Sequence, residues 1–274
     1  MNRITRAVIA VAAAALVASG ISACSSGSGV GDGELVGLFR FTPGADQGGG
    51  KLTGTWFRML QPGGTVENGP YMENRNSTAD GGRATLLEPG TSGGLRTGAY
   101  QSEPSPSFGS NGDSFADAVI KPTKFFAVRF GISTNQTDPQ TRTQLPPPTV
   151  TLSDGKLTAD LSSWAASWNG QEFNQGAPKP VDSTGAVAPG GQAAGRAWDW
   201  VANKWLDVPT KANVTGDSAS GTLDKENRFV LTWTSHIEGG PFNGFTGIWH
   251  LEGVFEPTAA QPSAAADSAG RGDR

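Results

Sequence analysis

Phe229-Val230-Leu231-Thr232-Trp233-Thr234-Ser235-His236-Ile237 and Phe245-Thr246-Gly247-Ile248-Trp249-His250-Leu251-Glu252-Gly253-Val254-Phe255 decide the fold class. In the first run Phe229, Leu231 and Trp233 share one face, opposite Val230, Thr232, Thr234 and His236. In the second, Phe245, Gly247, Trp249, Leu251 and Phe255 share a face, opposite Thr246, Ile248, His250 and Glu252. A two-residue period with the large rings on one side belongs to strands that bury one face. Trp233 and Trp249 are therefore read as core residues.

Outward from this pair, short apolar runs alternate with Gly, Pro, Asn and Asp punctuation. Further strands are expected at Leu35–Phe41, Gly54–Leu60, Ala84–Leu87, Phe125–Ile132, Thr149–Leu152, Lys156–Leu161 and Ala212–Leu223. Ser153-Asp154-Gly155 and Lys225-Glu226-Asn227 read as hairpin turns. The 39 Gly and 18 Pro leave little room for helices. The expected fold is all-β, a mostly antiparallel β-sandwich or partly closed β-barrel over residues 34–257. The stiff run Leu145-Pro146-Pro147-Pro148 offers a division into halves, 34–144 and 149–257. A weak repeat places Phe173-Asn174 nine residues after Trp164, and Phe242-Asn243 nine after Trp233. It suggests two related hairpins.

The N-terminus carries an address. Arg3 and Arg6 precede an apolar stretch, Ala7 to Ala18, too short to span a bilayer, which takes about 20 residues. Ile21-Ser22-Ala23-Cys24 follows and resembles a bacterial lipobox, whose cysteine is acylated and becomes the first residue of the mature protein. Cys24 is the only cysteine, so it has no disulfide partner within the chain. The expected order is a lipoprotein signal peptide over 1–23, the lipidated Cys24 with a Gly/Ser tether over 24–33, the β-rich domain over 34–257 and a disordered tail over 258–274. The expected location is the outer face of a cell membrane, with the membrane as partner through the acyl group.

Without Arg3 and Arg6 the chain carries a net charge of about -6. Nucleic acid is not expected as a partner, because it requires a basic surface. No Gly-x-Ser-x-Gly nucleophile, phosphate loop or His-x-x-x-His zinc motif occurs. No catalytic residue, metal ligand or cofactor is assigned. The two histidines, His236 and His250, share the face opposite the core tryptophans and are read as solvent-facing. Paired with Glu238 or Glu252 they form the alternative, a hydrolase site.

Binding has a denser signature. Trp164, Trp168, Trp198, Trp200 and Trp205 lie close in sequence. Exposed indoles offer flat apolar platforms with a polar edge, suited to a glycan or a lipid chain. These five are the candidate ligand-binding residues of a non-enzymatic envelope or surface-display domain. Gly54-Thr55-Trp56 matches the Gly-x-Trp of a lipocalin first strand, although later lipocalin motifs are missing.

The runs Trp168-Asn169-Gly170-Gln171-Glu172-Phe173-Asn174-Gln175-Gly176 and Gly239 to Gly253 resemble segments of exported bacterial β-rich proteins, including actinobacterial and mycobacterial lipoproteins. The resemblance covers about Thr149 to Glu256. It implies an exported β domain and supplies no catalytic residues.

Overall fold

The computed structural model describes residues 30–179, 187–188, 192–193, 196–199, 204–207, 218–237 and 239–258. The signal segment, Cys24, most of the tether, Trp200, Glu238 and the tail from residue 259 lie outside the described residues, as do residues 212–217 of one expected strand.

The protein is all-β. Eleven strands form one curled antiparallel sheet: β1 (Gly33–Glu34), β2 (Gly37–Phe41), β3 (Trp56–Thr65), β4 (Gly69–Tyr71), β5 (Thr85–Leu86), β6 (Gly94–Arg96), then β9 (Thr149–Ser153), β10 (Lys156–Asp160), β13 (Ala219–Leu223), β14 (Arg228–His236) and β15 (Thr246–Pro257). Four more form a second sheet: β7 (Thr123–Phe125), β8 (Val128–Thr134), β11 (Trp164–Trp168) and β12 (Gln171–Asn174).

The large sheet runs β1-β9-β10-β13-β14-β15-β2-β6, with β3 also on β15 and holding β4 and β5. Strand β15 is its spine. One edge pairs with β14 along its length, from Thr246 opposite His236 to Val254 opposite Arg228. The other edge is shared: Thr246–His250 pairs with β3, and Gly253–Pro257 with β2. The two neighbours share that edge end to end, and the sheet curls about this long strand. Strands from both sides of Leu145-Pro146-Pro147-Pro148 pair within it, so the triproline run does not separate two sheets.

The alternation in β14 and β15 reads as expected. Trp233 lies opposite Trp249 and Leu231 opposite Leu251, all buried. The second sheet packs its inner face onto theirs. Phe57 meets Phe130 at 5.9 Å, and Trp164 meets Trp233 at 5.2 Å and Trp249 at 5.5 Å, both edge to face.

Turn chemistry sets the hairpin registers. Asp154 and Gly155 both have positive φ and join β9 to β10 in a two-residue turn. Asn227 takes the left-handed position between β13 and β14. Asn169-Gly170 does the same work between β11 and β12, a hairpin absent from the expected strands.

Three expectations change. The strand drawn over Phe125–Ile132 is two, β7 and β8, turned back at Phe126 and Ala127. The two similar Trp…Phe-Asn runs differ in structure: Phe173-Asn174 lies in β12, whereas Phe242-Asn243 ends a short 3-10 turn between β14 and β15. Trp164 is 0 % exposed and is a core ring rather than a ligand platform.

Candidate apolar ligand site

A cavity of about 50 Å³ lies between the two sheets, beside the tryptophan cluster. The large sheet supplies Phe57 and Met59 from β3 and Trp249 from β15. Their spacing along each strand puts them on the concave face. The second sheet supplies Phe130, Ala166 and Trp168. Ala166 leaves the space: it stands directly opposite Ile132 on one side and Phe173 on the other, yet has only a methyl group. Gln175 is the one polar side chain in a wall that is otherwise apolar.

The connector from β14 to β15 closes one side through Ile237 and Phe242. Gly239, Gly240 and Gly244 all have positive φ, which bends the chain sharply at both ends of the turn. A Cβ on Gly240 would fall 2.6 Å from Gln171 Oε1 and 3.0 Å from the Phe173 ring, so glycine allows the turn to seat against β12. Asn243 Oδ1 accepts the Gly239 N–H at 2.7 Å.

Aromatic rings border the crevice, Trp168, Phe126 and Phe242 half-buried and Phe125 buried. Phe242 touches Trp168 at 5.3 Å, Phe125 at 5.7 Å and Phe126 at 5.9 Å. Trp168 is fixed by its indole N–H, which donates to the Phe125 carbonyl at 2.8 Å. Phe126 and Ala127 hold φ of 52° and 68°, values that a two-residue turn normally gives to Asn and Gly. The Asn76 Oδ1 bond to the Ala127 N–H, 2.6 Å, supports this strained turn.

Of the five tryptophans expected to bind ligand, Trp168 lines the crevice and Trp164 lies in the core. Trp198 and Trp205 stand opposite each other in a separate two-stranded ribbon, Arg196–Asp199 with Lys204–Asp207. Their side chains, like Trp200, lie outside the described set. The residues that sequence reading missed are Phe57, Phe130, Ala166 and Phe242. They carry ordinary core-type signals and meet only through sheet pairing and packing.

The histidines sit on the opposite, convex face. His250 was read as solvent-facing but is half-buried, stacked on Trp56 with centroids 4.7 Å apart and planes 6° from parallel. Burial holds its pKa below 6.5, with Glu252 pulling it back up. Its Nε2 is 3.6 Å from Glu252 Oε2, and that oxygen also accepts the Gly54 N–H at 2.8 Å. Glu252 thus ties Gly54 to β15. His236 lies opposite Thr246 and His250 opposite Thr232, which sets the two histidines about 13 Å apart along the sheet. Among the described residues no three His, Cys, Asp or Glu side chains cluster as a metal site.

A third titratable feature lies at Glu103. Burial first, then the Glu172 charge, push its carboxyl from 4.5 to about 8. The folded chain therefore keeps a proton that the unfolded chain releases. The contribution to stability is complete below about 4.5 and is lost as pH rises through about 8. Urea midpoints measured from pH 5 to pH 9 are expected to fall for the wild type, and to fall less steeply for Glu103→Gln. Parallel pH profiles would show that Glu103 does not carry the dependence.

No protein-family model, no curated protein and no solved structure matches this chain. Among the described residues no helix is long and apolar enough to cross a membrane.

Proposed function

We propose that this chain is an exported lipoprotein, anchored through acylated Cys24, whose β domain holds a small apolar group, such as the end of an acyl chain, without transforming it. The observation that carries the binding reading is the crevice between the sheets, walled by aromatic and aliphatic side chains with Gln175 as its one polar member. Such a surface gains by excluding water, and an alkyl group gains most from entering it. The strained Phe126 turn and the glycine-bent Phe242 turn beside it are the local irregularities expected at a binding site rather than in plain scaffold. The anchor rests on the motif ending at Cys24. Both parts are compatible, since a lipid tether keeps a binding domain within reach of a bilayer.

Mass spectrometry of the full chain purified from its native envelope tests both parts. An acyl group is expected on Cys24, together with a co-purifying apolar molecule. Cys24→Ala should leave the membrane fraction. Ala166→Leu, which fills the crevice, should remain folded and lose the co-purifying molecule. An apolar molecule retained by Ala166→Leu would place the ligand elsewhere, and a Cys24→Ala protein that stays with the membrane would end the anchor reading.

A further inference from the structure

The two ends of the large sheet differ in charge. At one end the β9–β10 and β13–β14 turns carry Asp154, Lys156, Asp224, Lys225, Glu226 and Arg228. At the other end lie the outer part of the β3–β4 hairpin (residues 62–70), the β14–β15 connector (residues 239–245) and the Phe126-Ala127 turn. In these three segments Glu67 is the only charged residue, whereas a water-facing surface is normally rich in charge. The segments meet. Phe242 touches Phe126 at 5.9 Å, and a Cβ on Gly244 would come 3.7 Å from Pro62. β3 runs antiparallel to β15 and continues past its start at Thr246, which carries the hairpin beyond the end of the sheet. Pro62, Ala127 and Pro241 are exposed, as is Val66 at 44 %, while Phe242 and Phe245 are half-buried. The crevice, lined by Trp168 and Phe242, lies at this same end. Asn74 Nδ2 donates to the Lys124 carbonyl at 2.9 Å and Asn76 Oδ1 accepts the Ala127 N–H at 2.6 Å, so Arg75 and Lys124 stand just behind the Phe126 turn. Both are exposed, as is the neighbouring Glu73.

We infer that this end of the domain is a contact surface for a phospholipid bilayer, on which the Phe126 and Phe242 turns settle among the headgroups. The inference rests on the anchor reading, because the chain that precedes the sheet decides the occupant. Cys24 lies nine residues before Gly33, a reach of about 30 Å when extended. The tether leaves at the charged end, where Asp32 accepts the Asp154 N–H at 3.2 Å. β14 and β15 pair over nine positions, a length of about 27 Å. The tether is therefore just long enough to run the length of the sheet and set Cys24 level with the uncharged end. A surface held that close to a bilayer meets it at high effective concentration, so a few rings suffice. Aromatic rings settle at the boundary of headgroups and acyl chains, and Arg75 and Lys124 behind them are placed to meet lipid phosphates. An acyl end entering the crevice would then come from the same bilayer.

The test uses the chain purified from its native envelope and returned to phosphatidylcholine vesicles. Cys24 is the only cysteine, so once it is acylated an introduced cysteine is the sole free thiol. Val66→Cys and Pro241→Cys each place an environment-sensitive fluorophore at the uncharged end. Lys225→Cys places it in the β13–β14 turn at the charged end. All three positions are exposed, so the fold tolerates the changes. On vesicles the labels at 66 and 241 should shift to the blue and lose intensity when nitroxide-labelled lipid is included, while the label at 225 stays water-like. Vesicle-bound protein in which no label responds, or in which all three respond alike, overturns the contact surface and leaves the anchor standing. A blue shift that nitroxide lipid does not quench means a protein partner, such as a second copy of the chain, and also overturns it. Protein that does not float with the vesicles ends the anchor reading and this one together.

Discussion

Trp164→Ala is expected to lower the unfolding free energy by about 3–5 kcal/mol, measured as a shift of the urea midpoint at constant slope. Trp164 is fully buried and lies edge-on to both Trp233 and Trp249. Those two rings belong to the large sheet and Trp164 to the second. Removing it takes away both of these ring contacts between the sheets and leaves a void that the stiff strands cannot readily close. Its indole nitrogen has no partner, so the loss is one of packing and not of a hydrogen bond. Trp164→Phe, which keeps a ring in place, should cost less than Trp164→Ala. A ring standing on the surface as a ligand platform would give a change within about 0.5 kcal/mol. An effect that small would mean that the two sheets do not close on Trp164.

Lys179→Met should cost about 3 kcal/mol at neutral pH, and the cost should shrink as the pH is lowered. Lys179 is 7 % exposed. Its ammonium donates to the Asn174 carbonyl at 2.9 Å and to the His236 carbonyl, joining the end of β12 to the end of β14. Its charge also acts on Asp138, which is completely buried. Burial raises the Asp138 pKa, while the Gln140 N–H, the Thr141 hydroxyl and then Lys179 draw it back down. Without the cation, ionised Asp138 loses one of its compensations. Protonation at lower pH removes that penalty, so the cost of the substitution shrinks on acidification. A cost that does not change with pH would show that Asp138 does not carry the dependence.

How much of this was legible depends on how many faces of a strand are covered. β14 and β15 have one face on the core and one facing outward, and their alternation survives in the sequence. β11 does not. Ser167 on its outer side bonds Ser114 at 2.6 Å under a covering loop, while Trp164 and Ala166 face the core, so four of its five residues are buried. With both faces covered, the run Trp164-Ala165-Ala166-Ser167-Trp168 shows no polar–apolar alternation. The Asn169-Gly170 turn that follows was the usable signal, because both residues tolerate positive φ. The Phe126-Ala127 turn offered no such signal, since these residues disfavour the conformation they adopt. Only the surrounding tertiary contacts hold them there.

By itself the sequence determined the all-β class, the inward faces of β14 and β15 and the Asp154-Gly155 turn. Each of these is local: a two-residue period or a left-handed turn pair. The tertiary structure decided that Trp164 is core while Trp168 lines a crevice, and that His250 rests on Trp56 instead of facing solvent. It also brought the Phe126 and Phe242 turns to one end of the domain. Those outcomes depend on residues far apart in the chain, joined by the shared edge of β15 and by the closure of the second sheet. No short-range pattern encodes them, because burial is set by what packs against a residue and not by its neighbours in sequence.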